Sequence, residues 1–211
     1  MKLYTYFRSS AAYRVRIALN LKGIDYTNEY LNLVKGEHRS AKYLKINPQG
    51  LVPTLEIEDG VNLSQSTAII EWLDEVYPDP PLLPGDSLAR AKIRSLYSII
   101  SSDIHPICNL RVIKYVESSL DAGKEGKLKW IKHWISEGFS ALESEMSDTR
   151  FSAGNSPMLS DVYLIPQIYN AIRFNINMDN FPKLYSVYNN CNELPEFFQA
   201  SPQYQEDATS M

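Results

Sequence analysis

Residues 2–26 read KLYTYFRSSAAYRVRIALNLKGIDY, and the change of period inside this stretch decides the fold. Residues 2–7 are a short aromatic run suited to a β-strand. From Tyr13 the period lengthens. Tyr13, Ile17 and Leu21 recur at i, i+4 and i+8, with Val15, Ala18 and Leu19 widening the apolar face of a helix. Gly23 supplies the stop, and residues 26–33 return to strand character. The stretch therefore predicts a βαβ unit whose two strands run parallel.

Working outward, residues 51–57 read as a third strand, Asp59-Gly60 as a hairpin turn and residues 61–63 as a short fourth strand. A helix is expected over residues 66–77, with Ile69, Ile70, Leu73 and Val76 as its apolar face. The stretch PDPPLLPGD, residues 78–86, holds too many prolines for a helix or a central strand and reads as a linker. Beyond it only helical patterns occur. Trp130, Ile131, Trp134, Ile135 and Leu142 mark one amphipathic face, and residues 161–176 another, with a kink expected at Pro166. The expected architecture is an α/β domain over residues 1–79, a linker at 80–86 and an all-helical domain over 87–211. The polar tail after Phe198 is expected to be mobile.

Composition narrows the function classes. Hydrophobic residues make up 44% of the 211 and charged residues 22%, so an ordinary globular core is available. A net charge of −4 and a pI near 5.4 argue against nucleic acid or an anionic membrane as a bulk partner. No apolar run approaches the ~20 residues of a membrane span, and the opening MKLYTYF lacks the apolar core of a secretory signal. Cys108 and Cys191 are far apart and belong to no CxxC motif, which disfavours a disulfide framework, a zinc site and a dithiol redox centre. A cytoplasmic chain without a metal centre is expected.

Three places carry possible chemistry. The first is the strand-to-helix junction at residues 8–12, where free N–H groups and the positive end of the helix dipole would favour a thiolate, and where Ser9 or Ser10 equally reads as an ordinary N-cap. The second is NPQGLVPT, residues 47–54. A cis Val52-Pro53 bond there would expose the Val52 backbone to an extended, peptide-like ligand, whereas a trans turn is the commoner outcome. The third is SQSTAIIEWL, residues 64–73, where Gln65 and Ser66 at a helix start make either a carboxylate cradle or a plain cap. Together, and in this order, they suit the thiol, backbone and γ-glutamyl carboxylate of glutathione.

Over essentially its whole length the chain resembles the zeta class of glutathione transferases, which contains the maleylacetoacetate and maleylpyruvate isomerases. The stretches that carry the resemblance are YFRSSAAYRVRIALNLKGIDY, NPQGLVPTLEI, QSTAIIEWLDEVYP, HPICNLRVIKYV and LIPQIYNAIRF. The resemblance implies a thioredoxin-like N-terminal domain, a helical C-terminal domain, a homodimer and glutathione as cofactor. It implies that Ser9 partners the glutathione sulfur with Ser10 nearby, and that Gln49, Val52, Gln65 and Ser66 hold the rest of the tripeptide. His38 falls where some isomerases place a histidine near glutathione, although GEHRS also reads as a solvated face. There are departures from the class pattern. Ala11 replaces the usual cysteine, Tyr13 the usual tryptophan or histidine, and Met158 the usual Ser or Thr three residues before Asp161. The cap of that helix is expected to come from Ser160 or Ser156.

The second substrate is expected to be a small maleyl dicarboxylic acid. Arg8, Arg111 and Arg173 are its expected carboxylate partners, because a guanidinium donates two parallel hydrogen bonds. Any one of them alone would read as a surface ion pair. Arg14 and Arg16 read as surface ion pairs or as interface residues. His105 and Asn109, taken to share one helix with Arg111, are expected to line the pocket beside glutathione. The resemblance implies cis–trans isomerisation, foremost of maleylacetoacetate to fumarylacetoacetate in tyrosine and phenylalanine catabolism. Maleylpyruvate isomerisation, conjugation or dehalogenation of small α-halo acids, and a non-catalytic glutathione-binding role are the alternatives.

Overall fold

The first strand, β1 (Lys2–Thr5), pairs in parallel with β2 (Thr27–Tyr30), with Lys2 opposite Thr27 and Thr5 opposite Tyr30. Between them runs α1 (Ser10–Leu21), which ends two residues before Gly23, at φ +63°. After the one-turn helix α2 (Ala41–Leu44) come β3 (Thr54–Glu58) and β4 (Val61–Ser64), joined by a hairpin that turns at Gly60. Both pairings, β1 with β3 and β3 with β4, are antiparallel, so the mixed sheet has the order β2-β1-β3-β4. Helix α3 (Ser66–Val76) packs beside α1. This is the expected thioredoxin-like α/β unit. The third strand starts later than expected, since residues 51–53, with a cis bond at Val52-Pro53, stay outside the ladder. A second cis bond, Asp79-Pro80, lies in the proline-rich stretch.

The computed structural model describes residues 1–208. These fall into two units, Met1–Pro81 with the segment from Leu194 onward, and Leu82–Glu193. The second unit contains α4 (Ser87–Ser98), a π-helical turn over Ile99–Ile104, α5 (Leu110–Ser118), α6 (Gly123–Glu145), α7 (Leu159–Arg173) and α8 (Pro182–Asn192). Helix α7 is its centre, with every residue from Leu159 to Ile168 buried. Pro166 sits inside α7 without ending it. In α6 the buried stripe is Ile131, Ile135, Phe139 and Leu142. The two tryptophans of the expected face are half-buried edge-to-face neighbours, and Trp130 donates its indole N–H to Ile107 O at 3.0 Å.

Two expectations are corrected here. The segment after Phe198 is not a loose polar tail over its described residues. Beyond α9 (Pro195–Phe198), Ala200, Ser201, Pro202 and Gln205 are buried in the first unit. Nor are Arg14 and Arg16 surface residues, since they are only 1% and 0% exposed. Helix α1 packs against α3 on one side and α9 on another, so no face of its middle turns is left for water. A buried guanidinium costs several kcal/mol unless acceptors replace its water. Arg16 has three, donating to Ala200 O at 2.8 Å, Thr5 Oγ1 at 3.0 Å and Phe7 O at 3.1 Å.

Candidate active site

In the first unit the candidate residues gather around two helix starts. Ser9 is the N-cap of α1. Its extended backbone (φ −71°, ψ 111°) lets Oγ accept the Ala12 N–H at 3.2 Å, while its own N–H reaches Tyr6 O at 2.9 Å. A hydroxyl that accepts from the backbone still carries its proton, so the capping bond and donation to a bound anion are compatible. The dipole of α1 adds positive potential at the same spot. Ser10 is the first helical residue and is buried. Arg8 folds back over the aromatic pair before it. Its guanidinium lies 5.0 Å from the Phe7 ring centre, and Nη2 donates to Tyr6 Oη at 3.1 Å. Stacking leaves part of the planar donor fork directed elsewhere.

At the second start, Gln65 has φ +72°, unusual for a non-glycine residue and a mark of locally stored strain. Its amide donates to Gln49 Oε1 at 2.7 Å, which joins two of the expected binding residues directly. Ser66 follows as the first residue of α3, with its hydroxyl 3.5 Å from Arg14 Nη1. A helix start, paired amides and a buried cation beneath make a carboxylate-binding corner. Val52 is buried next to the cis bond. His38 lies in a short 3-10 turn whose backbone touches Gly50, and a Cβ on Gly50 would come within 2.9 Å of His38 O. It therefore sits in the same loop cluster as Gln49.

Several supporting residues escaped the sequence reading. Arg39 holds Gln49 O at 3.1 Å. Tyr43 and Asn47 both bind Leu51 O and Thr54 Oγ1, at 2.6 to 3.1 Å, and so fix the loop that carries Gln49 and Val52. Asn47-Pro48 was the available signal, since an Asn before proline marks a side-chain-stabilised turn.

In the second unit the expected shared helix does not exist. The chain leaves α4 through the π-helical turn, and residues 105–108 form turns. Asn109 then starts a new helix, with Oδ1 accepting the Arg111 N–H at 3.2 Å. His105 and Asn109 thus lie on opposite sides of a break at His105-Pro106, and proline explains it, having no N–H to continue the ladder. Arg111 is an exposed second residue of α5, not a residue several turns into a long helix. Arg173 is the exposed last residue of α7, stacked 4.3 Å from the Phe174 ring centre and bonded to Asn170 Oδ1 at 3.2 Å.

The cap of α7 is also not the expected one. Asp161 supplies it, accepting the Ser152 and Met158 N–H groups at 2.8 Å each, while the Ser160 hydroxyl pairs with Ser152 Oγ at 2.6 Å. Burial pushes the Asp161 carboxyl up to about 6, against the lowering effect of those hydrogen bonds. The chain's own sulfurs are poor nucleophiles. Burial raises Cys108 to about 11 and Cys191 further still.

The first unit thus offers a hydroxyl at one helix start and a carboxylate corner at another, a donor set that fits an anionic, peptide-like thiol. Residues 8–76 match the family model for the glutathione S-transferase N-terminal domain. A maleylacetoacetate isomerase of Pseudomonas aeruginosa is 44% identical over 98% of both chains. Among solved structures, a zeta-class bacterial maleylpyruvate isomerase superposes with a TM-score of 0.96, at 41% identity over 99% of this chain and 100% of that one. A maleylacetoacetate isomerase from Anaeromyxobacter dehalogenans 2CP-1, solved with dicarboxyethyl glutathione and citrate in its active site, superposes with a TM-score of 0.87. It is 38% identical over 98% of this chain and 93% of that one.

Proposed function

The chain belongs to the zeta class of the glutathione transferase family, and from that premise we propose that it is a glutathione-dependent cis–trans isomerase of a small maleyl diacid. The observation that carries the proposal is Ser9, which caps α1 with a lone pair and keeps its proton for the sulfur. When bound, glutathione supplies a thiolate that adds reversibly to the cis double bond, so that the bond rotates as a single bond before the thiolate departs. Ser9 and the α1 dipole hold that sulfur ionised, with Ser10 beside it. Gln65, Ser66 and Gln49 take the γ-glutamyl end, the Val52 backbone pairs with the middle of the tripeptide, and His38 borders the same loops. Arg8, Arg111 and Arg173 bind carboxylates and stabilise the charge that develops on the substrate oxygen. His105 and Asn109 complete the pocket.

Maleylacetoacetate is the leading substrate, with a role in tyrosine and phenylalanine breakdown, and the enzyme is read as a cytoplasmic homodimer. The Pseudomonas relative supports that choice. The close superposition on a maleylpyruvate isomerase favours maleylpyruvate as the second reading. Spectrophotometric assays with each acid, with and without glutathione, test the proposal. Turnover that requires glutathione is expected, and the acid with the higher kcat/KM identifies the substrate. Absence of glutathione-dependent turnover with both acids overturns the isomerase reading. Light scattering of the purified protein tests the dimer.

A further inference from the structure

The loop that carries Arg8 and Ser9 is gripped from an unexpected direction. Phe7 precedes Arg8, and both of its backbone polar groups are taken by side chains. Its N–H donates to Asp207 Oδ2 at 2.9 Å, and its carbonyl accepts from Arg16 Nη2 at 3.1 Å. Asp207 lies 200 positions further along the chain, in a short 3-10 turn over Glu206–Ala208. The turn is anchored in the same unit. Arg16 holds Ala200 O, Tyr13 Oη donates to Phe197 O at 3.3 Å and Asn20 Nδ2 to Glu196 O at 3.0 Å.

We propose that Asp207 is a positioning residue: with Arg16 it clamps the Phe7 peptide and so fixes where the Ser9 hydroxyl stands. Two links connect clamp to hydroxyl. The peptide held at Phe7 is separated from Ser9 by Arg8 alone, and the Ser9 N–H is itself tied back to Tyr6 O. A backbone pinned at both the N–H and the carbonyl of one residue, and so in two successive peptide planes, has little freedom to shift the next two residues. The charges also match. The Asp207 carboxylate is among the charges felt at the Arg16 guanidinium, and burial moves both groups toward neutrality, Asp207 upward and Arg16 down to about 10. At neutral pH the guanidinium keeps its charge and the carboxylate is the natural partner. Because a hydrogen bond to a thiolate weakens steeply with misalignment, a shift of a few tenths of an ångström at Ser9 is read directly in the sulfur's acidity.

The inference rests on the glutathione reading of Ser9, and the experiment separates the two. The pKa of the bound glutathione thiol is followed through the ultraviolet absorbance of the thiolate, alongside kcat, the glutathione Kd and the melting temperature. Asp207→Ala is expected to raise the thiol pKa by about one unit and to lower kcat about tenfold, with Kd changed less than about threefold. Asp207→Asn keeps an acceptor for the Phe7 N–H and is expected to return kcat to within about twofold of the parent. Asn20→Ala removes an anchor of the same segment without touching the loop, so it lowers the melting temperature and leaves the thiol pKa in place. Should Asp207→Ala fail to fold, Asp207→Glu displaces the Phe7 amide by one methylene and must shift thiol pKa and kcat in the same direction. A folded Asp207→Ala or Asp207→Glu with unchanged thiol pKa and kcat overturns the clamp alone. A parent protein that forms no bound thiolate overturns the glutathione reading itself.

Discussion

Helices α1 and α7 begin in contrasting ways. At α1 the cap is a hydroxyl, half-buried, which satisfies one backbone N–H and keeps a donor in reserve. At α7 the cap is the Asp161 carboxylate, wholly buried, which accepts two backbone N–H groups and is ringed by the Ser152 and Ser160 hydroxyl pair. Each cap accepts a backbone N–H at its helix start, the hydroxyl with a proton still to donate and the buried carboxylate with a second bond that ties in the preceding loop. A cap with capacity left over is a place for chemistry. A cap fully consumed by its own chain is a fold element.

Four experiments sharpen or break that contrast. The largest effect is expected at Asp161. Asp161→Ala strands one buried and one partly buried N–H group and should cost roughly 3–5 kcal/mol by denaturant unfolding. A loss below about 1 kcal/mol would mean that water or a neighbour can replace the carboxylate. At Ser9 the balance reverses. Ser9→Ala should lower kcat about 100-fold while costing only about 1 kcal/mol of stability and leaving glutathione affinity within about threefold. Equal losses in kcat and affinity would remove its assigned role.

A third experiment uses pH. The folded-state pKa of Asp161, about 6, lies above its ordinary value of 3.8, so its protonated form is the one the fold prefers. The stability it contributes is full below its unfolded pKa and is lost as pH rises through about 6. Measured against Asp161→Asn, which does not titrate, the parent should lose relative stability between pH 4 and 7. A flat difference would show that its hydrogen bonds offset burial, and a relative gain in stability with rising pH that they outweigh it. The smallest effect is expected at Gln65. Gln65→Gly relieves the strain at φ +72° and should stabilise the fold by about 0.5–1 kcal/mol while weakening glutathione binding several-fold. Unchanged affinity would show that the Gln49–Gln65 pair is not part of the cradle.

What the sequence made legible is local. The β1–α1 junction, the turn at Gly60 and the start of α3 at Ser66 all depend on residues within one or two turns of each other. Ser9, Gln65 and Ser66 were therefore read at the correct structural positions. Burial of Arg16 was not legible, because its acceptors include a carbonyl 184 positions away and a buried arginine looks the same in sequence as an exposed one. The segment after Phe198 was misjudged for the same reason, since its polar residues find their partners far up the chain. The break at His105-Pro106 was a different kind of miss. Both proline and the capping Asn109 were visible, but the flanking apolar residues keep a helical period across the gap. Asp161 was seen, yet the cap was sought in the neighbouring serines, whereas Asp161 itself accepts the Met158 N–H and a Ser152 N–H from the preceding loop.

The tie between Arg16 and Ala200 has a consequence for how the chain is made. A polypeptide leaves the ribosome from its N-terminal end, so the buried guanidinium waits while 184 further residues are added before the last of its three acceptors exists. At ordinary elongation speeds the delay is roughly 10–40 s, long compared with the closing of a βαβ unit. Through that interval residues 82–193 are already available to fold, and the unit that starts first is the one that finishes last.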